Sequence, residues 1–225
     1  MSDIYPERGL APRLIKECAL QGVLRNQCAY ILATSQWETG HSHMPVKEAY
    51  YVSPAAQEAY LKSKEYYPYF GRGLVQLTWK YNYERADKEL GLHGALVNDL
   101  DLALDEDIAI QIIIKGMLEG WFTTRPLSRY VDLQKSDFYN ARRVVNGLDK
   151  AAEIAGLATK YDKVLLSQGY GVDTPDVPEP PEGDAETLEA VLKTIDSLEA
   201  HVAKVQKSVE DMDKRITALE VWRRS

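Results

Sequence analysis

The acidic side chains that could do chemistry cluster early in the chain. In the run from Leu24 to Glu38 the stripe Leu24, Cys28, Ile31 and Ser35 advances by three and four residues and lands next on Glu38. Its carboxylate is expected to face inward. Placed in the last turn of a helix, beside Trp37 and ahead of Gly40, it would meet both desolvation and the negative helix end, each of which raises a carboxyl pKa. A carboxyl that keeps its proton near neutrality can protonate a departing glycosidic oxygen. Such a reaction needs a second carboxylate, to activate water or to attack the sugar. Glu48, Glu58 and Glu65 follow within the next stretch. Glu48 ranks first, because it lies in an irregular segment after Met44 and Pro45, a natural cleft wall. Glu58 stays open as the alternative, and Glu65 sits in a charged stretch that suggests a solvated surface.

Two further groups of residues bear on the chemistry. His41 and His43 follow Glu38 closely, but their spacing does not match a helical zinc site and no Cys or Asp completes a ligand set. They read as polar loop residues, and neither a metal nor any other cofactor is expected. The segment Tyr69 to Tyr83 (YFGRGLVQLTWKYNY) gathers aromatic faces for sugar rings, two glycines that admit close backbone approach, and the amides and hydroxyl of Gln76, Thr78 and Asn82. A tight strand-to-helix turn explains the glycines and tyrosines equally well, though not those three polar residues together.

Helices are needed to hold these groups. Periodicity and end signals predict them near 11–22, 24–38, 54–63, 79–90, 105–119, 136–145 and 149–167. Gly40, Gly91 and Gly147 stand where a left-handed residue would end a helix, and Ser53 with Pro54, Asp105 and Ser136 stand as N-terminal caps. The only strand signal is the alternation from Leu74 to Thr78. The expected fold is mainly α, with at most a minor β element.

Composition bounds the partners. With 225 residues, 45% hydrophobic and a net charge of −7, the chain fits one sizeable domain plus an appendage and has no basic stripe suited to nucleic acid. No apolar run is long enough to insert in a membrane, and residues 1–13 do not read as a secretory signal. The chain is therefore read as made in the cytoplasm. Its two cysteines, Cys18 and Cys28, are expected to be reduced core residues. Residues 1–170 read as the folded domain and 171–184, rich in Pro and acid, as a linker. In 185–225, Leu188, Val191, Ile195, Leu198, Val202, Val205, Val209, Met212, Ile216 and Leu219 alternate by three and four, the pattern of a coiled coil that could make a dimer or trimer or dock to another protein.

Three segments carry a resemblance. Trp37-Glu38-Thr39-Gly40, then Gly71-Arg72-Gly73-Leu74-Val75-Gln76-Leu77-Thr78 with Asn82-Tyr83, and later Ala141-Arg142-Arg143-Val144-Val145-Asn146-Gly147, resemble in order the glycoside hydrolase family 19 domain of plant-type chitinases and many bacteriophage endolysins. The resemblance implies a lysozyme-like two-lobed helical fold and an inverting mechanism, with the two carboxyl groups about 6.5–9.5 Å apart. It matches Glu38 to the acid and, through the short-loop endolysin pattern, Glu48 to the base. Thr78 matches the hydroxyl that holds water, and Gln76, Asn82, Tyr83, Asn146 and Arg72 match substrate-binding positions; Arg72 and Arg143 either organise the cleft electrostatically or make structural ion pairs. Trp37 departs from the family's usual His. Lacking a readable signal and a disulfide set, the chain fits an endolysin acting on peptidoglycan glycan strands after release from the host cytoplasm. A chitinase, and a virion-associated lysin or adaptor docked to a phage structural protein through the coiled coil, are the alternatives.

Overall fold

A computed structural model of the protein describes residues 3–170. The linker and coiled coil read at 171–225 lie outside the described residues. The fold is mainly helical with a small two-stranded sheet. Its helices are α1 (Ala11–Leu20), α2 (Arg25–Glu38), α3 (Pro54–Lys62), α4 (Lys80–Glu89), α5 (Ala95–Asn98), α6 (Glu106–Glu119), α7 (Phe138–Ala141) and α8 (Ala151–Ser167). Short 3-10 turns occur at Leu100–Leu104, Leu127–Arg129 and Arg142–Val144.

The helix ends follow from local chemistry. The Ser53 hydroxyl accepts from Ala56 N, with Pro54 at the first helical position, and the Asp105 carboxylate accepts from the amides of Asp107 and Ile108. Gly40 and Gly91 take the left-handed conformation expected after α2 and α4. Near residue 136 the sequence reading is corrected: Asp137, not Ser136, caps the helix, accepting from Asn140 N at 3.1 Å. The helix read at 136–145 is α7 followed by a 3-10 turn, since Arg142 turns off to bond two distant partners, the Asp149 carbonyl and the Glu38 carboxylate. Gly147, expected to be left-handed, is not among the residues of positive φ.

The strand assignment also shifts. Val46–Lys47 (β1) pairs antiparallel with Arg72–Gly73 (β2), Val46 opposite Gly73. Leu74 to Thr78 is instead a turn that folds back on β2, with Leu77 and Arg72 exchanging both backbone bonds at 2.8 and 3.2 Å. Gly73 has φ +85°, and a Cβ there would fall 2.7 Å from the Ala103 carbonyl. Only glycine satisfies both constraints.

At the centre of the domain lies α2, where every residue from Gln27 to Gln36 is buried. Its main packing partner is α8, with α1 and α6 also against it. A helix covered on all sides belongs to the core of a layered bundle, not to its surface. The inward stripe that pointed to Glu38 is thus only part of a helix that is apolar-facing all round, and Glu38 is reached where that burial ends. Cys18 and Cys28 are both free and buried.

Polar groups on α2 are satisfied across the core. Gln27 Nε2 donates to the Val131 carbonyl at 2.9 Å. His43, read from sequence as a polar loop residue, is fully buried, with Nδ1 3.1 Å from Ser35 Oγ and Nε2 2.9 Å from Tyr161 Oη. The Tyr161 hydroxyl donates to Gln36 Oε1 at 2.5 Å and accepts from Tyr5 N at 3.1 Å. This network ties the N-terminal segment, α2 and α8 together.

Candidate active site

A cleft of about 610 Å³ is lined by residues from five parts of the chain: Glu38 at the end of α2, Glu48 after β1, the segment from Tyr66 to Asn82, and a far wall of Phe122 and Thr123 with Val145, Asn146 and Gly147. Glu38 therefore shares one cavity with Glu48, as well as with Gln76, Thr78, Asn82 and Asn146.

Glu38 is held at the end of α2 by the way that helix stops. The Thr39 hydroxyl donates to the Ser35 carbonyl at 2.8 Å and accepts from His43 N at 2.9 Å, while Gly40 reverses the chain at φ +56°. A Cβ on Gly40 would lie 1.8 Å from the Tyr50 hydroxyl oxygen. The Glu38 side chain keeps 17% exposure and accepts from Arg142 Nη1 at 2.7 Å. Arg142 itself is nearly buried and is fixed by Nε donating to the Asp149 carbonyl at 3.2 Å. Sequence reasoning named its neighbour Arg143, whose Nε donates instead to Asn140 Oδ1.

Glu48 is gripped from several directions. Its amide donates to the Gly71 carbonyl at 2.8 Å and its carbonyl accepts from Gln57 Nε2 at 2.8 Å. Among the carboxylate's neighbours, Tyr66 Oη donates to Oε1 at 2.7 Å, Tyr60 Oη at 3.4 Å, and Gly71 N to Oε2 at 3.0 Å. Burial and the adjacent carboxylate push the Tyr66 phenol above its ordinary range. By contrast Glu58 is exposed on α3 and ion-paired with Lys62 at 2.6 Å, a contact that lowers its pKa; it does not line the cleft. Glu65 is exposed as well.

The turn after β2 orders the polar floor. Gln76 Nε2 donates to the carbonyls of Val46 and Gly73 at 3.0 and 3.3 Å, so this amide also ties the turn to β1. The Thr78 hydroxyl donates to the Gln76 carbonyl at 2.8 Å, which leaves its oxygen able to accept a further bond. Asn82 Nδ2 donates to the Thr78 carbonyl at 2.8 Å, and its Oδ1 is buried without a hydrogen-bond partner among the described residues. Asn146 is exposed on the far wall, where the Thr123 hydroxyl braces the backbone by donating to the carbonyls of Arg143 and Val144.

Two expected substrate-binding residues lie beneath the cleft instead. Tyr83 is completely buried and its hydroxyl donates to the Phe70 carbonyl at 2.9 Å; burial pushes that phenol up to about 12. Arg72 is 5% exposed, ion-paired with Asp101 at 2.8 Å, stacked on the Phe70 ring, and donates from Nη1 to the Pro68 and Phe70 carbonyls and to Tyr83 Oη. Together they hold the Pro68 and Phe70 carbonyls just ahead of β2. Tyr66, Trp79, Tyr81, Phe122 and Thr123 line the cleft without having been singled out from sequence. Trp79 and Tyr81 fell inside the aromatic segment that was noticed, whereas no local signal marks Phe122 or Thr123.

Two carboxylates share one cleft with amides, a hydroxyl acceptor and aromatic rings on a mainly helical frame, an arrangement suited to glycoside hydrolysis. Residues 31–128 match the family model described as chitinase class I, glycoside hydrolase family 19. The chain is 38% identical over 95 residues to an acidic endochitinase of Dioscorea japonica, covering 39% of this chain and 35% of that protein. It is 40% identical over 58 residues to chitinase 11 of Oryza sativa subsp. japonica, covering 26% of this chain and 21% of that protein. The chain thus spans about a third or less of the length of these curated relatives.

Proposed function

We propose that the chain hydrolyses β-1,4 bonds between N-acetylated amino sugars by single displacement with inversion, Glu38 acting as general acid and Glu48 as general base. In this reaction Glu38 gives its proton to the glycosidic oxygen, while Glu48 takes a proton from a water that attacks the anomeric carbon from the opposite face. The Thr78 oxygen is suited to hold that water. Asn82 Oδ1, buried and unpartnered, offers an acceptor for an acetamido N–H, and Gln76 and Asn146 supply further amides. The observation that carries the reading is the meeting of Glu38 and Glu48 in one cleft, each fixed by its own hydrogen bonds.

For the polymer we propose bacterial peptidoglycan, and for the biological role a phage endolysin. Two free, buried cysteines fit a domain held by its core and not by the disulfides of secreted plant chitinases. The names of the two plant relatives favour chitin as the second reading. Residues 185–225 would then serve as an oligomerising or docking segment.

The test is release of reducing sugar from purified peptidoglycan and, in parallel, from chitin oligomers, with mass spectrometry of the products. Glu38→Gln and Glu48→Gln are expected to abolish release with the fold intact, and Glu58→Gln to leave it unchanged. Near-normal activity in Glu38→Gln sinks the mechanism; products from chitin alone move the substrate to the second reading.

A further inference from the structure

We infer that Tyr66 is the positioning residue for the base: its hydroxyl fixes Glu48 Oε1, so that Oε2 is the oxygen that takes the proton from the attacking water. This inference rests on the reading of Glu48 as general base.

Each carboxylate oxygen has two lone pairs to offer. Among the described residues Oε1 meets two phenols, Tyr66 at 2.7 Å and Tyr60 at 3.4 Å, whereas Oε2 meets only Gly71 N at 3.0 Å and keeps one lone pair unused by them. The terminal torsion of a glutamate is soft and roughly two-fold, so a carboxylate held at one oxygen alone can rotate out of line. Tyr66 is itself held in place. Its ring stands edge-on to Trp79 with centroids 5.3 Å apart at 71°, and it lines the cleft beside the carboxylate. A phenol pushed above its ordinary range by burial and by Glu48 stays protonated, and so remains a hydrogen donor, throughout the range in which carboxylates titrate.

Removing this donor has two separable effects. The carboxylate loses a charge-assisted bond of the strong kind, so its geometry loosens and kcat falls by about tenfold to a hundredfold. It also loses a group that favours its charged form, so the acidic limb of the rate profile moves to higher pH. A residue that merely contacts sugar would raise KM and leave that limb in place.

The experiment measures kcat, KM and the pH profile of wild type, Tyr66→Phe, Tyr60→Phe and Glu48→Gln on soluble oligomers of whichever polymer is cut, with near-UV circular dichroism as the check of folding. Expected are a lowered kcat, a KM close to wild type and an acidic limb shifted upward in Tyr66→Phe, with smaller changes in Tyr60→Phe. If Glu48→Gln is inactive while Tyr66→Phe keeps the wild-type kcat and profile, the inference about Tyr66 alone is overturned. If Glu48→Gln stays active, or wild type is silent on both polymers, the underlying functional reading falls and the inference with it. Should Tyr66→Phe fail to fold, a fluorinated tyrosine at position 66 preserves the shape and strengthens the donor. The acidic limb must then move to lower pH, and an unmoved limb overturns the inference.

Discussion

Acidification is expected to loosen the domain through His43 before the carboxylates titrate. The phenol of Tyr161 has one proton and donates it to Gln36, so His43 Nε2 donates to Tyr161. In the neutral ring that burial favours, Nδ1 then accepts from Ser35. Burial first, then the charges of Arg8 and His41, lower the His43 pKa from 6.5 to about 4. Because the folded value lies below the unfolded one, the unfolded chain binds more protons between them, and stability that is full above 6.5 is lost as pH falls toward 4. With about 1.4 kcal/mol per tenfold change in proton affinity, the loss reaches about 1.4 kcal/mol near pH 5.5 and about 2.5 kcal/mol near pH 4.5. For a domain of this size the larger figure corresponds to a fall of roughly 5–10 °C in Tm. Urea unfolding of wild type and His43→Gln across this range isolates the contribution, since the other titrating groups are common to both. His43→Gln is expected to be less stable near pH 8 yet to decline less steeply below 6.5. Parallel slopes in the two proteins would refute the reasoning.

Two other outcomes follow from the cleft. Arg142→Met strips a part-buried Glu38 of its counter-charge and is expected to cost about 3 kcal/mol of stability, by chemical denaturation, with loss of activity; combined with Glu38→Gln, the loss of stability should be less than additive. Gly40→Ala forces a Cβ into the left-handed region and against the Tyr50 hydroxyl, and a loss of about 1–2 kcal/mol is expected from the backbone alone. Adding Tyr50→Ala should relieve the contact but not the backbone strain, which thermal unfolding of the double variant would reveal.

The helices were legible because caps and periodicity are local. Ser53-Pro54, Asp105 and Gly91 mark their ends without reference to the rest of the chain. What was not legible depends on distant partners. Leu74 to Thr78 alternates like a strand, but its backbone bonds close on Arg72, and the true partner of β2 is a two-residue segment with no strand signal of its own. Arg142 and Arg143 look equivalent in sequence; only the end of the short helix decides which one meets Glu38. Tyr83 and Arg72 sit inside a ligand-like motif yet are buried, because their side chains bond each other and the Pro68 and Phe70 carbonyls ahead of β2. Phe122 and Thr123 enter the cleft from the turn after α6, a proximity that nothing in their own segment encodes.

The clamp between Glu48 and Gly71 has a consequence for chain entropy. The Glu48 amide bonds the Gly71 carbonyl, the Gly71 amide bonds the Glu48 carboxylate, and β1 and β2 are paired on the far side of those bonds. Residues 49–70 are therefore an excursion closed at its ends, from whose interior only Gln57, Tyr60 and Tyr66, among the described residues, return to bond Glu48. Doubling the length of such a loop costs only about 0.6 kcal/mol in closure entropy. The stretches of this excursion away from those three residues can thus be lengthened or trimmed at little entropic cost, while the carboxylate at the loop's root keeps both its backbone and its side-chain anchors.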